Sequence, residues 1–440
     1  MNTLRVLKSL GSKIAYVVCF ILLLKLYLTQ VYVEDQEWAT RPPRVLQAIS
    51  RRLRVLKNPS AVSKQYQRFL ELRKGYEHRL VSVTHPPYRA PSDFIDIGEP
   101  IGTLLKSIPE QSNRPPGQPK LVLLWTKFYG VEQWVQDANF RYCPNVTPCK
   151  VTTNKTDLDK SDALLIHPRD IVNYSRASLP AYHPPHQRWV YFIQEPPWAV
   201  GINLADFGGV FNWTATYRDD ADIDFRFSSR VKSDQVLPMP EYSKIFLGAL
   251  EKKSKLVAAR ISNCDTTRTK RLEFIQELQK YIPVDFYGKC GTLECPGKDT
   301  GCKDKMEQYK FYLAFENSNC RSYITEKIWR ALGDWNAVPV VMGGSDPRDY
   351  AYGIPPHSYI HVDGFESPKQ LAEFLVLLDK NVTLYEQYFR WHRTHYTETP
   401  RRGWCQLCES LYDWSLPVKT YRDFKGWYEQ DSCDPVSGFT

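Results

Sequence analysis

The sequence predicts an α/β protein of two parallel-sheet domains facing a cleft, set behind a single membrane-spanning helix and a stem. Three features carry that reading. An apolar run of membrane length opens the chain, and a stretch rich in proline and arginine follows it. From Lys120 onward, two series of buried-strand runs alternate with polar or helical stretches.

The apolar run is Ile14 to Val33, with Arg5, Lys8 and Lys13 before it and Glu34, Asp35 and Glu37 after it. About twenty residues rising 1.5 Å each span roughly 30 Å, the thickness of a bilayer's hydrocarbon core. The positive flank holds residues 1–13 in the cytoplasm and places the remainder in the lumen. Lys25 interrupts the run and has to snorkel to an interface. The competing reading is a cleaved signal peptide with the apolar core Ile14 to Leu24, although no small-x-small cleavage site follows promptly. Either way the rest of the chain is exported.

Cysteine usage agrees with export. Of eleven cysteines, Cys19 lies in the apolar run, leaving ten for five disulfides. Cys143 and Cys149, and likewise Cys405 and Cys408, are close enough to close small loops. Cys290, Cys295, Cys302 and Cys320 form a second group whose pairing stays open. With no second CxxC and no histidine pair nearby, Cys405-x-x-Cys408 reads as a disulfide and not as half a zinc site. Glycosylation sequons stand at Asn145, Asn154, Asn173, Asn212 and Asn381. Asn212 sits in FNWTATY, an aromatic stretch that reads as buried, so glycans are expected on the other four.

The net charge of +9, from 58 basic and 49 acidic residues, is concentrated before residue 90. No basic helix interleaves with aromatics, so the excess reads as a solvated linker, and nucleic acid is excluded as a partner.

Residues 34–118 form the expected stem, with local helix around Tyr66–Tyr76. In the first domain, 119–245, the strand runs are LVLLWT (121–126), ALLIHPR (163–169) and RWVYFIQEPP (188–197), followed by FNWTATYR (211–218). Residues 236–250 read as a connector. The second domain, 246–440, carries strands at 255–263, 284–288, 311–317, 338–344 and 358–365. Its helices are expected at 267–281, at 322–332 with Ser322 as cap, and at 368–379. A C-terminal tail containing the CxxC pair closes the chain.

The densest polar cluster follows the strand at 311–317: Glu316, Asn317, Ser318, Tyr323, Glu326 and Lys327. On a helix, Tyr323 and Lys327 would share a face. Outward-pointing amides and Lys327 would suit an anionic ligand, and Glu326 would suit ribose hydroxyls. A solvated helix face with a Glu326–Arg330 pair is the alternative. No GxGxxG follows an early strand and no phosphate-binding GxxxxGK[ST] occurs, which disfavours dinucleotide oxidoreductases and P-loop enzymes. Asp220-Ala-Asp222 matches DxD only formally, and no metal site is expected.

YKFYLAFENSNCRSYITEKIWRAL (309–332), followed by VPVVMGG (338–344), closely resembles the donor-site signature of the α1,3-fucosyltransferases. FNWTATYRDDADI (211–223), KLVAARISNC (255–264) and VDFYGKCG (284–291) match in the same order, and the resemblance spans roughly Lys120 to Cys408. It implies a GT-B fold, with an acceptor domain followed by a GDP-fucose domain, and no obligatory cofactor; a divalent metal is at most stimulatory. It also implies inversion at the fucose carbon, with Glu195 of QEPP as the base and Arg271 and Lys327 as cations for the departing diphosphate. Asn317, Tyr323 and Glu326 would hold nucleotide and fucose, and Arg218 would lie near the donor.

The chain departs from the family pattern at Asp219, where the family has a second arginine. CGTLECPGKDTGC (290–302) is longer and richer in cysteine than in vertebrate members and resembles invertebrate ones. The acceptor stays open between the core N-acetylglucosamine of N-glycans and N-acetyllactosamine-type antennae. A protein O-fucosyltransferase, or a glycan-binding protein that kept the fold, are the rival readings. The expected setting is the Golgi membrane, with single-pass type II topology.

Overall fold

A computed structural model describes residues 59–82, 91–100, 119–131, 140, 143, 149–264, 269–295, 300–343, 349–350, 353–398, 402–430 and 432–433. The expected tail, the membrane segment 14–33, much of the stem and Asn145 lie outside them. No described helix is long and apolar enough to cross a membrane.

The described residues begin with α1 (Pro59–Ser82) and β1 (Ile95–Pro100). The first series is β2 (Leu121–Leu124), β3 (Lys150–Thr152), β4 (Ala163–Ile166), β5 (Arg188–Ile193), β6 (Trp213–Thr216) and β7 (Ile223–Asp224). β8 (Ser229–Lys232) and α2 (Met239–Glu251) come next. The second series is β9 (Lys255–Arg260), α3 (Arg271–Gln279), β10 (Val284–Tyr287), α4 (Thr300–Met306), β11 (Tyr309–Phe315) and α5 (Glu326–Trp329), then β12 (Val338–Met342), β13 (Ile360–His361), α6 (Pro368–Lys380) and α7 (Val382–Glu386). β14 (His395–Glu398), α8 (Arg402–Tyr412), β15 (Pro417–Tyr421) and α9 (Phe424–Glu429) end the chain.

Each series forms a parallel sheet, as expected. Strand order is β3-β2-β4-β5-β6-β7 in the first sheet and β10-β9-β11-β12-β13 in the second. In both, the second strand pairs on one side of the first and the third on the other. That reversal opens a crevice at the strands' carboxyl ends, where ligands of open α/β sheets bind. The apolar runs are continuous because both faces are covered. In β5, Trp189, Tyr191 and Ile193 face one core, and Val190 and Phe192 the other.

What covers the first sheet differs from expectation. Its own connections are mostly short 3-10 turns. The helices come instead from the C-terminal tail. α9 brings Phe424, Trp427 and Tyr428 to one face, and α8 brings Trp404, Leu407, Cys408 and Leu411 to the other. The cysteines follow this geometry. The expected small loops do not form; Cys143 pairs with Cys405 and Cys149 with Cys408, which pins α8 to the first series. Within the open group Cys295 pairs with Cys302, while Cys290 and Cys320 pair outside it, with Cys264 and Cys433, making five disulfides in all.

The stem reading also fails in part. β1 pairs antiparallel with β15. α1 docks on the second series: Phe69 stacks on Phe374 with ring centroids 5.7 Å apart, and the Tyr76 hydroxyl accepts from the His361 amide at 3.1 Å. A Cβ on Gly364 would lie 1.9 Å from the Tyr76 ring, so only glycine admits that contact. Residues 236–250, read as a connector, are largely helical: α2 lies between β8 and β9 in the chain, with Pro240 in its first turn, where a missing amide proton is tolerated. Residues 237–251 belong to a separate unit, and α2 buries Tyr242, Phe246 and Ala249 along one face.

Because Phe69 is buried against Phe374, Phe69→Ala should cost about 3–5 kcal/mol in urea unfolding. A fragment starting at residue 100, which lacks α1 and β1, should melt well below one starting at residue 59. Equal melting temperatures would show that α1 is a mere spacer.

Candidate active site

β11 is the central strand of the second sheet and is buried along its whole length. Glu316 follows its last residue and is itself 1% exposed. A buried carboxylate needs donors, and the next turn supplies them. Glu316 accepts from the Thr325 amide at 2.8 Å, from the Thr325 hydroxyl at 2.8 and 2.9 Å, and from the Lys327 ammonium at 2.7 Å. Burial disfavours the charge on Lys327, yet the Glu316 and Glu326 carboxylates beside it carry its pKa above the ordinary lysine value. Lys327 is therefore a fixed cation.

Glu316 also explains where the expected helix fails. α5 starts at Glu326 with Thr325 as its cap, not at Ser322, and runs into a π-helical turn at Arg330–Asp334. Ser322 has φ +57°, and its amide and hydroxyl are spent on Asp349 and Asp219. Tyr323 consequently does not share a helix face with Lys327. The Thr325 amide, expected to point at an anion, is taken by Glu316.

Beyond the carboxyl ends of β9 and β11, at the point where the strand order reverses, lies a cavity of about 270 Å³. Its walls bring together four of the expected residues: Arg271, Asn317, Glu326 and Lys327. They also include Arg260 and Arg330, which the sequence reading did not assign to the site, so four cationic residues and one carboxylate, Glu326, line it. The Arg271 guanidinium is 2% exposed. It donates to the carbonyls of Phe315 at 3.1 Å and Asn263 at 2.9 Å, tying together the ends of two neighbouring strands. Burial lowers its pKa, with the Glu316 charge opposing. The Arg271 Nε and the Asn317 side-chain oxygen are buried without a hydrogen-bond partner. Such atoms are costly unless a ligand satisfies them.

Glu195 and Tyr323 meet outside this cavity. The Tyr323 hydroxyl donates to one Glu195 carboxylate oxygen at 3.3 Å, and the Tyr129 hydroxyl donates to the other at 3.3 Å. The Tyr428 hydroxyl fixes the Glu195 backbone carbonyl at 2.6 Å. The loop from Glu316 to Tyr323 joins this carboxylate to the cavity. Trp198 Nε1 donates to Ser318, next to Asn317, at 2.6 Å. Cys320 is bonded to Cys433. Arg321 pairs with Asp219 at 3.0 Å, so the acidic residue that replaces the family's arginine meets an arginine across the loop.

Arg218 is the expected residue that the structure removes from the site. Its fork is bidentate on Asp220, with both bonds 2.7 Å, and its remaining nitrogen donates to Ser432 at 2.6 Å. Asp220 is thereby occupied, while Asp222 accepts from Thr214 and Tyr421 and pairs with Lys419. The formal DxD triplet is a structural network. Asn212 is buried, with its amide bonded to the Trp189 and Lys419 backbones. Asn154 and Asn173 are exposed and Asn381 is half-buried.

Two family models match the chain: Glycosyltransferase family 10 (fucosyltransferase) C-term over residues 250–427, and Fucosyltransferase, N-terminal over residues 117–228. The chain is 33% identical to the alpha-(1,3)-fucosyltransferase C of Drosophila melanogaster, over 70% of this chain and 77% of that protein. It is 38% identical to the 3-galactosyl-N-acetylglucosaminide 4-alpha-L-fucosyltransferase of Bos taurus, over 63% of this chain and 72% of that protein. A solved structure, an alpha1,3-fucosyltransferase with GDP, aligns at a TM-score of 0.45 with 16% identity, covering 75% of this chain and 96% of that one.

Gly343 closes the back of the Glu316 site with φ +140°, and a Cβ there would meet Glu316 carbons at 2.8 and 2.9 Å. Gly343→Ala should therefore destabilise the fold by about 1–3 kcal/mol in denaturant titration. An unchanged midpoint would mean that the Glu316 shelf yields freely.

Proposed function

We propose that this chain, which belongs to the fucosyltransferases of glycosyltransferase family 10, transfers L-fucose from GDP-fucose to O3 of N-acetylglucosamine in N-linked glycans, with inversion at the fucose carbon. It is an α1,3-fucosyltransferase. The acceptor, the inversion and the residue roles are the proposal. The observation that carries it is the pairing of a cation-walled cavity on the second sheet with a carboxylate from the first, joined by one loop.

In this reading the diphosphate of the donor lies against Arg271 and Lys327. Asn317 and Glu326 line the same cavity and hold the nucleotide sugar. The acceptor hydroxyl approaches fucose C1 from the face opposite the GDP oxygen. As the new C1–O bond forms, the hydroxyl proton passes to the Glu195 carboxylate and the C1–O bond to phosphate breaks. The bonding pair leaves on GDP, where the fixed cations stabilise the growing charge. Arg271 is anchored by two backbone carbonyls and Lys327 by the Glu316 carboxylate, so the charge that this sequence needs comes from side chains already in place.

The apolar run 14–33, the five disulfides and the sequons support single-pass type II placement in the Golgi membrane with the sheets in the lumen. Asn145, Asn154, Asn173 and Asn381 are the proposed glycan sites. The bovine relative is named for transfer to O4 and the fly relative for transfer to O3, so the linkage of the product is a direct check.

Incubation with GDP-fucose, N-acetyllactosamine and a chitobiose-core glycopeptide, followed by linkage analysis, should place fucose on O3 of N-acetylglucosamine. Fucose found on serine or threonine would overturn the acceptor class. Glu195→Gln should lower kcat about 10²–10⁴-fold with GDP affinity retained. Lys327→Ala should weaken GDP binding by calorimetry and cost roughly 10²–10³ in kcat/KM. Unaltered turnover in either variant would remove that residue from its role.

A further inference from the structure

We infer that Tyr129 is a positioning residue for Glu195, and that the Asp170–His167 pair exists to hold Tyr129 in a strained backbone conformation suited to that task. The inference rests on the reading of Glu195 as the base.

Tyr129 lies in the turn after β2, closed by a reciprocal bridge between Phe128 and Val131. Its φ is +50°, and Gly130 follows at +75°. For glycine the left-handed region carries little cost, but a bulky aromatic residue persists there only when its surroundings over-determine it. The surroundings do so. The Asp170 carboxylate accepts from the Tyr129 amide at 2.8 Å and from the Gly130 amide at 2.7 Å. His167 Nδ1 lies 2.6 Å from the same carboxylate. Burial lowers the pKa of His167, so the ring is neutral at neutral pH, and with an acceptor-only partner its Nδ1 must carry the proton.

All of this machinery is aimed at a side chain that does not serve the core. Tyr129 is 46% exposed, with one side of its ring against Phe128 and His167, both at 4.8 Å. Its hydroxyl reaches the Glu195 oxygen not taken by Tyr323. The carboxylate is therefore held by two phenols, one from the end of a first-sheet strand and one from the loop of the second sheet. Burial and the Glu195 charge push the Tyr129 phenol up, so it stays a proton donor throughout the neutral range. Two donated bonds, one to each oxygen, fix the plane of the carboxylate that is to accept the proton. Among the described residues, the other charged or titratable groups near this pair include Arg169, over the Tyr129 ring at 5.4 Å, and the buried phenols of Tyr217 and Tyr428.

The test uses the full chain in detergent, with GDP-fucose and N-acetyllactosamine or the chitobiose-core glycopeptide, whichever is turned over. Tyr129→Phe keeps the ring and removes only the hydroxyl. We expect kcat to fall about 10-fold while KM for GDP-fucose stays at its wild-type value. GDP affinity and melting temperature should stay at wild-type values. Asp170→Ala, which releases the turn without touching Glu195, should lower kcat in the same way, again without raising KM for GDP-fucose. A Tyr129→Phe kcat equal to that of the wild type would overturn the positioning role, and so would a loss that comes with weaker GDP binding or a lower melting temperature. Glu195→Gln, run alongside, separates the two ideas. If it is inactive while Tyr129→Phe is normal, only the positioning role fails; if it is fully active, the base assignment itself fails.

Discussion

The bond on which most of the site depends is the one between Glu316 and Lys327. A carboxylate at the buried end of the central strand would be intolerable alone, since removing one partner of a buried ion pair costs about 3–5 kcal/mol. Here it accepts an amide, a hydroxyl and an ammonium from a single turn, and so dictates where that turn goes. With the turn placed, Lys327 faces the cavity as a cation that cannot relax away. Arg271 is immobilised in a similar manner by two carbonyls at strand ends. Preorganised charge of this kind costs no reorganisation when negative charge develops on a leaving group.

The second constraint is the return of the chain's end to its beginning. The first sheet has too few helices of its own to cover its faces, and α8 and α9 supply the missing surface after the second sheet is complete. Cys320–Cys433 then fastens the end of the chain to the loop between Glu316 and Tyr323. That loop touches Trp198, Asp219 and Glu195 of the first series. The tail is thus part of the first domain's core and also a clamp on the loop that relates the base to the donor cavity.

Much of the fold was legible because buried parallel strands leave an unambiguous trace. Runs such as RWVYFI and VPVVM allow no other reading once flanked by turn residues. The signals that failed are those set by tertiary partners. Ser322 looks like a helix cap, but its polar groups are claimed by Asp219 and Asp349 from elsewhere. The cysteines look like local pairs by spacing, yet α8 lies across the first sheet and draws each toward a residue some 260 positions away. Arg218 resembles a donor-side cation, but Asp220 two residues on captures its fork. Arg260 had a readable signal, a charged residue ending an apolar strand at its carboxyl edge. Tyr129 had none, because a positive φ in a tyrosine is not written in the sequence.

The relation between the cavity and Glu195 is most directly tested by a crystal structure of the protein with GDP bound. The diphosphate should contact Arg271 and Lys327, satisfy the unpartnered Arg271 Nε, and leave the Glu195 carboxylate facing the space beyond the β-phosphate. A nucleotide seated away from the carboxyl ends of β9 and β11, or a Glu195 turned from that space, would contradict the assignment of roles.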